Sequence, residues 1–143
     1  MGTFSLNWRE GFALLLCLGK KPFLLHCIIE VPASINFLLF PSSQLRLYSP
    51  QSHAIIRQYA TLLFSSVLIS WIFATRDNDD LSGKAAAALA LYHLAPMARA
   101  SSRLRNGQAR WQSTLFLFFH TVCFGSLLHL SWTMCMHRDI KLA

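Results

Sequence analysis

Four long apolar runs constrain this chain more than any other feature. Residues Phe23–Phe40, Ile55–Ala74, Gly83–Ala98 and Trp111–Met136 make runs of 16 to 26 residues. A helix needs roughly 20 residues to cross the hydrocarbon of a bilayer. A soluble core helix would instead turn a polar face outward every three or four residues. Neither Leu62–Ala74 nor Leu115–His120 carries a charged face. Hydrophobic residues make up 54% of the 143, and the mean hydropathy is +0.40. The expected fold is therefore all-α: one membrane domain over residues 1–143, a polytopic bundle of four transmembrane helices.

The charges fit this expectation. All thirteen Lys and Arg lie outside the runs or at their ends, apart from Arg57 and Lys84. Each of those two stands within a turn of a helix start, where a long side chain can reach the interface. A net charge of +7 suits anionic lipid headgroups. Nucleic acid is not an expected partner, because the aromatics belong to the apolar runs and not to a basic face. The acid-free segment with Arg99, Arg103, Arg105 and Arg110 reads as a headgroup-facing loop. With four spans both chain ends share one side. Counting Lys and Arg gives six on the loop side and seven on the terminal side, which leaves orientation open. Phe12–Gly19 is short, is followed by Lys20 and Lys21, and shows no small-x-small cleavage pattern. Residues 1–21 are expected to lie at the interface or to extend the first helix. The expected location is a membrane, an endomembrane such as the endoplasmic reticulum.

Within the runs the polar residues stand out. Glu30 lies in the middle of the first, and an ionisable group at bilayer depth costs about 2.5–3.5 kcal/mol on insertion scales. Such a group usually faces protein or trapped water. His26, Glu30 and Ser34 are spaced by four and share one helical face. His93 shares its face with Ala86, Ala90 and Ala100, and small residues let helices approach closely, so this face should point inward. His120 and His129 are nine residues apart, about 180° of helical rotation, so only one can face the bundle centre. Depth, counted at about 1.5 Å per residue from the loop side, gives roughly 16 Å for Glu30, 15 Å for His120 and 9 Å for His93. Ser65 and Ser66 fall at about 12–14 Å, while His26 and His129 lie at roughly 22 and 28 Å. Glu30, His93 and His120 are thus the candidate acid–base residues, and His120 is preferred to His129. His26, Ser34, Asn36, Tyr59, Ser66 and Tyr92 are the candidate cavity residues.

No cofactor or metal is expected. Cys17, Cys27, Cys123 and Cys135 form no CxxC pair, and free cysteines in apolar runs act as small packing residues. The Glu and His residues show no HExxH-like spacing.

Three segments look familiar together: Glu30–Phe37 (EVPASINF), Arg57–Ala60 (RQYA) and Leu91–Ala100 (LYHLAPMARA). Across Leu25 to about Arg105 the chain resembles small four-helix integral membrane proteins of filamentous fungi. The resemblance implies the fold and the membrane setting, and no activity.

Function divides into three classes. The expected one is a non-catalytic accessory or scaffold protein, whose polar groups lock helices and whose basic loop holds lipid or a membrane protein partner. The alternative is an intramembrane acid–base isomerase or cyclase that acts on an isoprenoid- or sterol-like lipophilic molecule through Glu30 with His93 or His120. The third is haem-based electron transfer, which needs two histidines facing each other at one depth.

Overall fold

The computed structural model describes residues 21–44, 49–108 and 110–142. Among these residues the chain folds into four α-helices with no strand: α1 Pro22–Leu39, α2 Pro50–Ala74, α3 Asp80–Arg105 and α4 Arg110–Leu142. Of the expected interfacial segment over residues 1–21, all but Lys21 lies outside the described residues.

Local sequence accounts for the helix ends. Pro22 and Pro50 occupy first-turn positions, where a missing N–H costs nothing. Ser49 caps α2 in a reciprocal box: its Oγ accepts from the Ser52 N–H at 3.1 Å, and its own N–H donates to Ser52 Oγ at 3.2 Å. Asp79 caps α3, accepting the Ser82 N–H at 2.7 Å and the Ser82 hydroxyl at 2.8 Å. These hydrogen bonds, with a lesser contribution from Arg76 at 3.2 Å, hold the Asp79 carboxyl below its ordinary value. Pro32 lies inside α1, and the helix runs through it. Gly107 takes φ +69 in the turn between α3 and α4, a backbone that residues with a Cβ rarely adopt.

The helices pair as two hairpins, α1 with α2 and α3 with α4, and α1 also packs on α4. α3 and α4 approach closely at Gly83, where an added Cβ would stand 2.7 Å from the Cβ of Met134. The apolar core gathers Phe23, Leu25, Ala86, Leu89, Ala90, Cys123, Leu127 and Leu130. It belongs to the end of the bundle near the Arg76–Asp80 turn, where Phe23 stacks on Phe73 at 5.3 Å.

Beyond that core the usual distribution inverts. His26, Glu30, Ser34, Ser70, Ser82, His93, Ser113 and His120 are buried, while Ile55, Leu62, Leu91, Trp111 and Trp132 are each more than 60% exposed. In water such a surface would be a large apolar patch; against lipid it is the favourable side. Pro22–Leu39, Pro50–Ala74 and Arg110–Met136 are long and apolar enough to cross a membrane. α3 is not among them. It is the alanine-rich helix, and it buries Ala86, Leu89, Ala90, His93, Pro96 and Ala100 against its neighbours.

Three helices run past their apolar stretches. α2 begins at Pro50 instead of Ile55, and α3 spans Asp80–Arg105 instead of Gly83–Ala98. α4 continues to Leu142. The Ser49–Ser52 box and Pro50 start α2 ahead of its apolar run, and arginines of good helix propensity carry α3 past the point where hydropathy falls.

Candidate functional site

The four helices bring their polar residues to one buried line. Ser66 on α2 gives its hydroxyl proton to the carbonyl of Leu63 at 2.7 Å. Its oxygen therefore accepts from His26 Nε2, at 3.1 Å. His26 Nδ1 must then accept from His93 Nε2, at 3.0 Å. His93 Nδ1 in turn accepts from His120 Nδ1, at 2.8 Å. With all three rings neutral this direction follows from Ser66 having one proton to give. It leaves His120 Nε2 without a hydrogen, and that atom is buried with no partner.

Glu30 joins from α1. Its Oε1 is 3.6 Å from His120 Nδ1 and 3.7 Å from His93 Nδ1, beyond hydrogen-bond length, and it too is buried without a partner. Its Oε2 accepts from the Tyr92 hydroxyl at 3.4 Å. Tyr92 donates there, so it accepts from Tyr59, 3.2 Å away. Tyr59 is 39% exposed, so a chain of hydroxyls runs from the bundle surface to the carboxyl.

A cavity of about 230 Å3 adjoins this cluster, lined among others by Glu30, Tyr59, Tyr92, Phe116 and His120. No family model, no curated protein and no solved structure matches the chain. The site is therefore interpreted from its own geometry.

Of the three candidate acid–base residues, Glu30 and His120 line the cavity, while His93 stands behind them, 0% exposed, between His26 and His120. Of the candidate cavity residues, Tyr59 and Tyr92 line it. Asn36 lines a neighbouring cavity of about 360 Å3. Ser34 turns back on its own helix, donating to the carbonyl of Val31 at 2.8 Å. His26 and Ser66 extend the hydrogen-bonded line and do not line this cavity. His129 is exposed, as the preference for His120 requires. Depth counting put His26 a full turn or more away from His93, yet the two rings bond directly. Phe116, whose ring lies 4.1 Å from that of His120, was not anticipated. It is four residues earlier on the same face, which is the signal that could have found it.

Two donor sets could hold a cation. Glu30, His93 and His120 offer atoms within 4.8 Å of one another, as do His26, His93 and Cys123. They come from different helices, so no linear spacing announces them. Metal-bound histidines usually donate their other N–H to an outer partner. His93 has one in His26; His120 has one in His93 if it binds through Nε2, and none if it binds through Nδ1. A haem sandwiched between either hydrogen-bonded ring pair, His26 with His93 or His93 with His120, does not fit. Nitrogens 2.8 and 3.0 Å apart are closer than two metal–nitrogen bonds of about 2.0 Å each laid end to end.

Proposed function

We propose that this chain is an integral membrane enzyme that relocates a proton within a lipophilic substrate, isomerising a double bond or closing a ring with no change of mass. One observation carries this function. Two buried acid–base atoms, Glu30 Oε1 and His120 Nε2, lack partners, and both side chains line the same cavity. A polar network that only locks helices is expected to satisfy its members. Within the network the two unsatisfied atoms belong to residues on a wall where a substrate can sit; Ser70 Oγ, also buried without a partner, lies outside the network.

In the reaction the Glu30 carboxyl, in its acid form, gives its proton to one carbon of a carbon–carbon double bond. His120 takes a proton from a carbon next to the cation so formed. The double bond shifts, and no atom is gained or lost. The resulting imidazolium and carboxylate are reset by exchange with solvent: Glu30 takes a proton through Tyr59 and Tyr92, and His120 releases the one on Nε2, so the ring regains its Nδ1–H form. An isoprenoid closing a ring uses the same two events, one at the start and one at the end. Tyr92 orients the carboxyl through Oε2, and His93, held by His26, orients His120. Both are positioning residues. α3, the least apolar helix, crosses with the other three as the covered member of the bundle.

Lipid and metabolite profiles of cells with the wild-type chain and with Glu30→Gln test this function. The variant should accumulate normally and lose a mass-neutral conversion that the wild type performs. Absence of any such conversion in the wild type, with lowered abundance of Glu30→Gln, would instead support an accessory protein whose buried polar groups serve packing.

A further inference from the structure

The second cavity, of about 360 Å3, shares Ala33, Phe37, Arg99 and Phe116 with the one beside Glu30, so the two form one cleft. Its outer part is polar. Arg99 and Arg103 stand four residues apart on one face of α3, and Asn36 and Gln112 face them from α1 and α4. Among the described side chains the acids other than Glu30 are Asp77, Asp79 and Asp80, all in or beside the turn before α3, at the other end of the bundle. Neither arginine has an ion pair among the described residues. The cleft thus joins a guanidinium pair, without an ion-pair partner among the described residues, to an apolar passage that ends at the acid–base pair.

We infer that this cleft binds a single-chain amphiphile with an anionic head, a carboxylate or a phosphate. Arg99 and Arg103 hold the head, and the chain reaches inward to Glu30 and His120. The inference rests on the proton-transfer function and names its substrate class. Guanidinium forks match both kinds of anion with charge-assisted, often bidentate hydrogen bonds. Along α3, Arg99 is six residues and Arg103 ten residues beyond His93, about 9 and 15 Å. The reacting bond therefore lies roughly 9–15 Å from the head. The four arginines of this segment divide in two: Arg99 and Arg103 line the cleft, while Arg105 and Arg110 do not. Arg105 is two residues past Arg103, about 200° around the helix. It is left to the membrane surface, with Arg110.

The test uses the full chain in nanodiscs of uncharged phosphatidylcholine, with a pyrene-labelled long-chain carboxylic acid, its methyl ester and the corresponding phosphate monoester as probes. The acid and the phosphate should bind about tenfold or more tightly than the ester. Arg99→Gln with Arg103→Gln should abolish that preference, and Arg105→Gln with Arg110→Gln should leave it. Arg99→Glu with Arg103→Glu should turn the preference toward an amine-headed chain, an outcome a misfolded variant cannot produce. Equal binding of acid and ester, or equal loss from the two arginine pairs, would overturn the inference. So would displacement of the acid by inorganic phosphate alone at similar concentration, which marks a site for free anions. Glu30→Gln should keep the head preference. If it does and no conversion is ever found, the proton-transfer function fails while the binding site stands.

Discussion

His93→Leu should destabilise the bundle, and extending the change to His26 and His120 should restore it. His93 is wholly buried and spends both ring nitrogens on other helices, at 3.0 Å to His26 and 2.8 Å to His120. Interhelical hydrogen bonds in bilayers average about 0.6 kcal/mol and reach about 1.7, so losing two costs about 1–3.5 kcal/mol. The single variant also strands a nitrogen on each neighbour, a further cost of about 1 kcal/mol or more for a group left unpaired. Together these shift the unfolding equilibrium by a factor of roughly 30 to 1,500. In the triple leucine variant no ring nitrogen remains to be stranded. Ser66 keeps its bond to the Leu63 carbonyl and Glu30 keeps Tyr92. Replacing both ends of a hydrogen bond with apolar groups is close to neutral, so the triple should return to within about 1 kcal/mol of the parent while losing activity. Detergent unfolding followed by circular dichroism on purified protein gives all the values. A triple variant as unstable as the single would refute this reasoning, because the histidines would then be a lock on the fold and not a cost carried for chemistry.

Gly83→Val should loosen the α3–α4 hairpin by about 1–3 kcal/mol, since even a Cβ would meet Met134 at 2.7 Å; a melting temperature unchanged from wild type would contradict this close approach. Asp79 has its carboxyl held below the ordinary 3.8 by the Ser82 N–H and hydroxyl. Its stabilisation of the α3 start is therefore complete above that ordinary value and is lost as pH falls through the lowered one. Protection of the Ser82 and Gly83 amides, relative to intrinsic exchange, should fall in that acid window, and Asp79→Asn should remove this loss. Activity should survive exhaustive treatment with a chelator, since the proposed proton transfer uses only Glu30 and His120; loss on chelation and recovery with zinc would move the cluster to a metal centre.

Much of this arrangement was legible in the sequence, for reasons that can be named. The four-residue spacing of His26, Glu30 and Ser34 put all three on one face, and all three are buried. The small residues beside His93 predicted its inward direction, and Ala86, Ala90 and Ala100 are buried with it. What depth counting lost was the meeting of His26 with His93. The count began at Arg99, where hydropathy drops, but α3 runs on to Arg105. From that end His93 lies about 18 Å down, level with Glu30 and His120. Hydropathy marks where a helix leaves its apolar surroundings, not where its backbone stops. The cleft was hidden for a different reason: its walls come from α1, α3 and α4, and no linear pattern links Asn36, Arg103 and Gln112.

Solvent deuterium provides the most direct measurement of proton relocation by Glu30 and His120. Membranes carrying the wild-type chain or Glu30→Gln are incubated in ordinary and in heavy water, and their lipophilic extracts are compared by mass. Wild-type membranes should contain a pair of isomers equal in mass in ordinary water, the product alone gaining deuterium in heavy water, because the proton it receives comes from a carboxyl that exchanges through Tyr92 and Tyr59. Glu30→Gln membranes should contain the substrate unchanged. A labelled product that forms equally well in the variant, or an isomer pair that never takes up deuterium, would contradict proton transfer by this carboxyl.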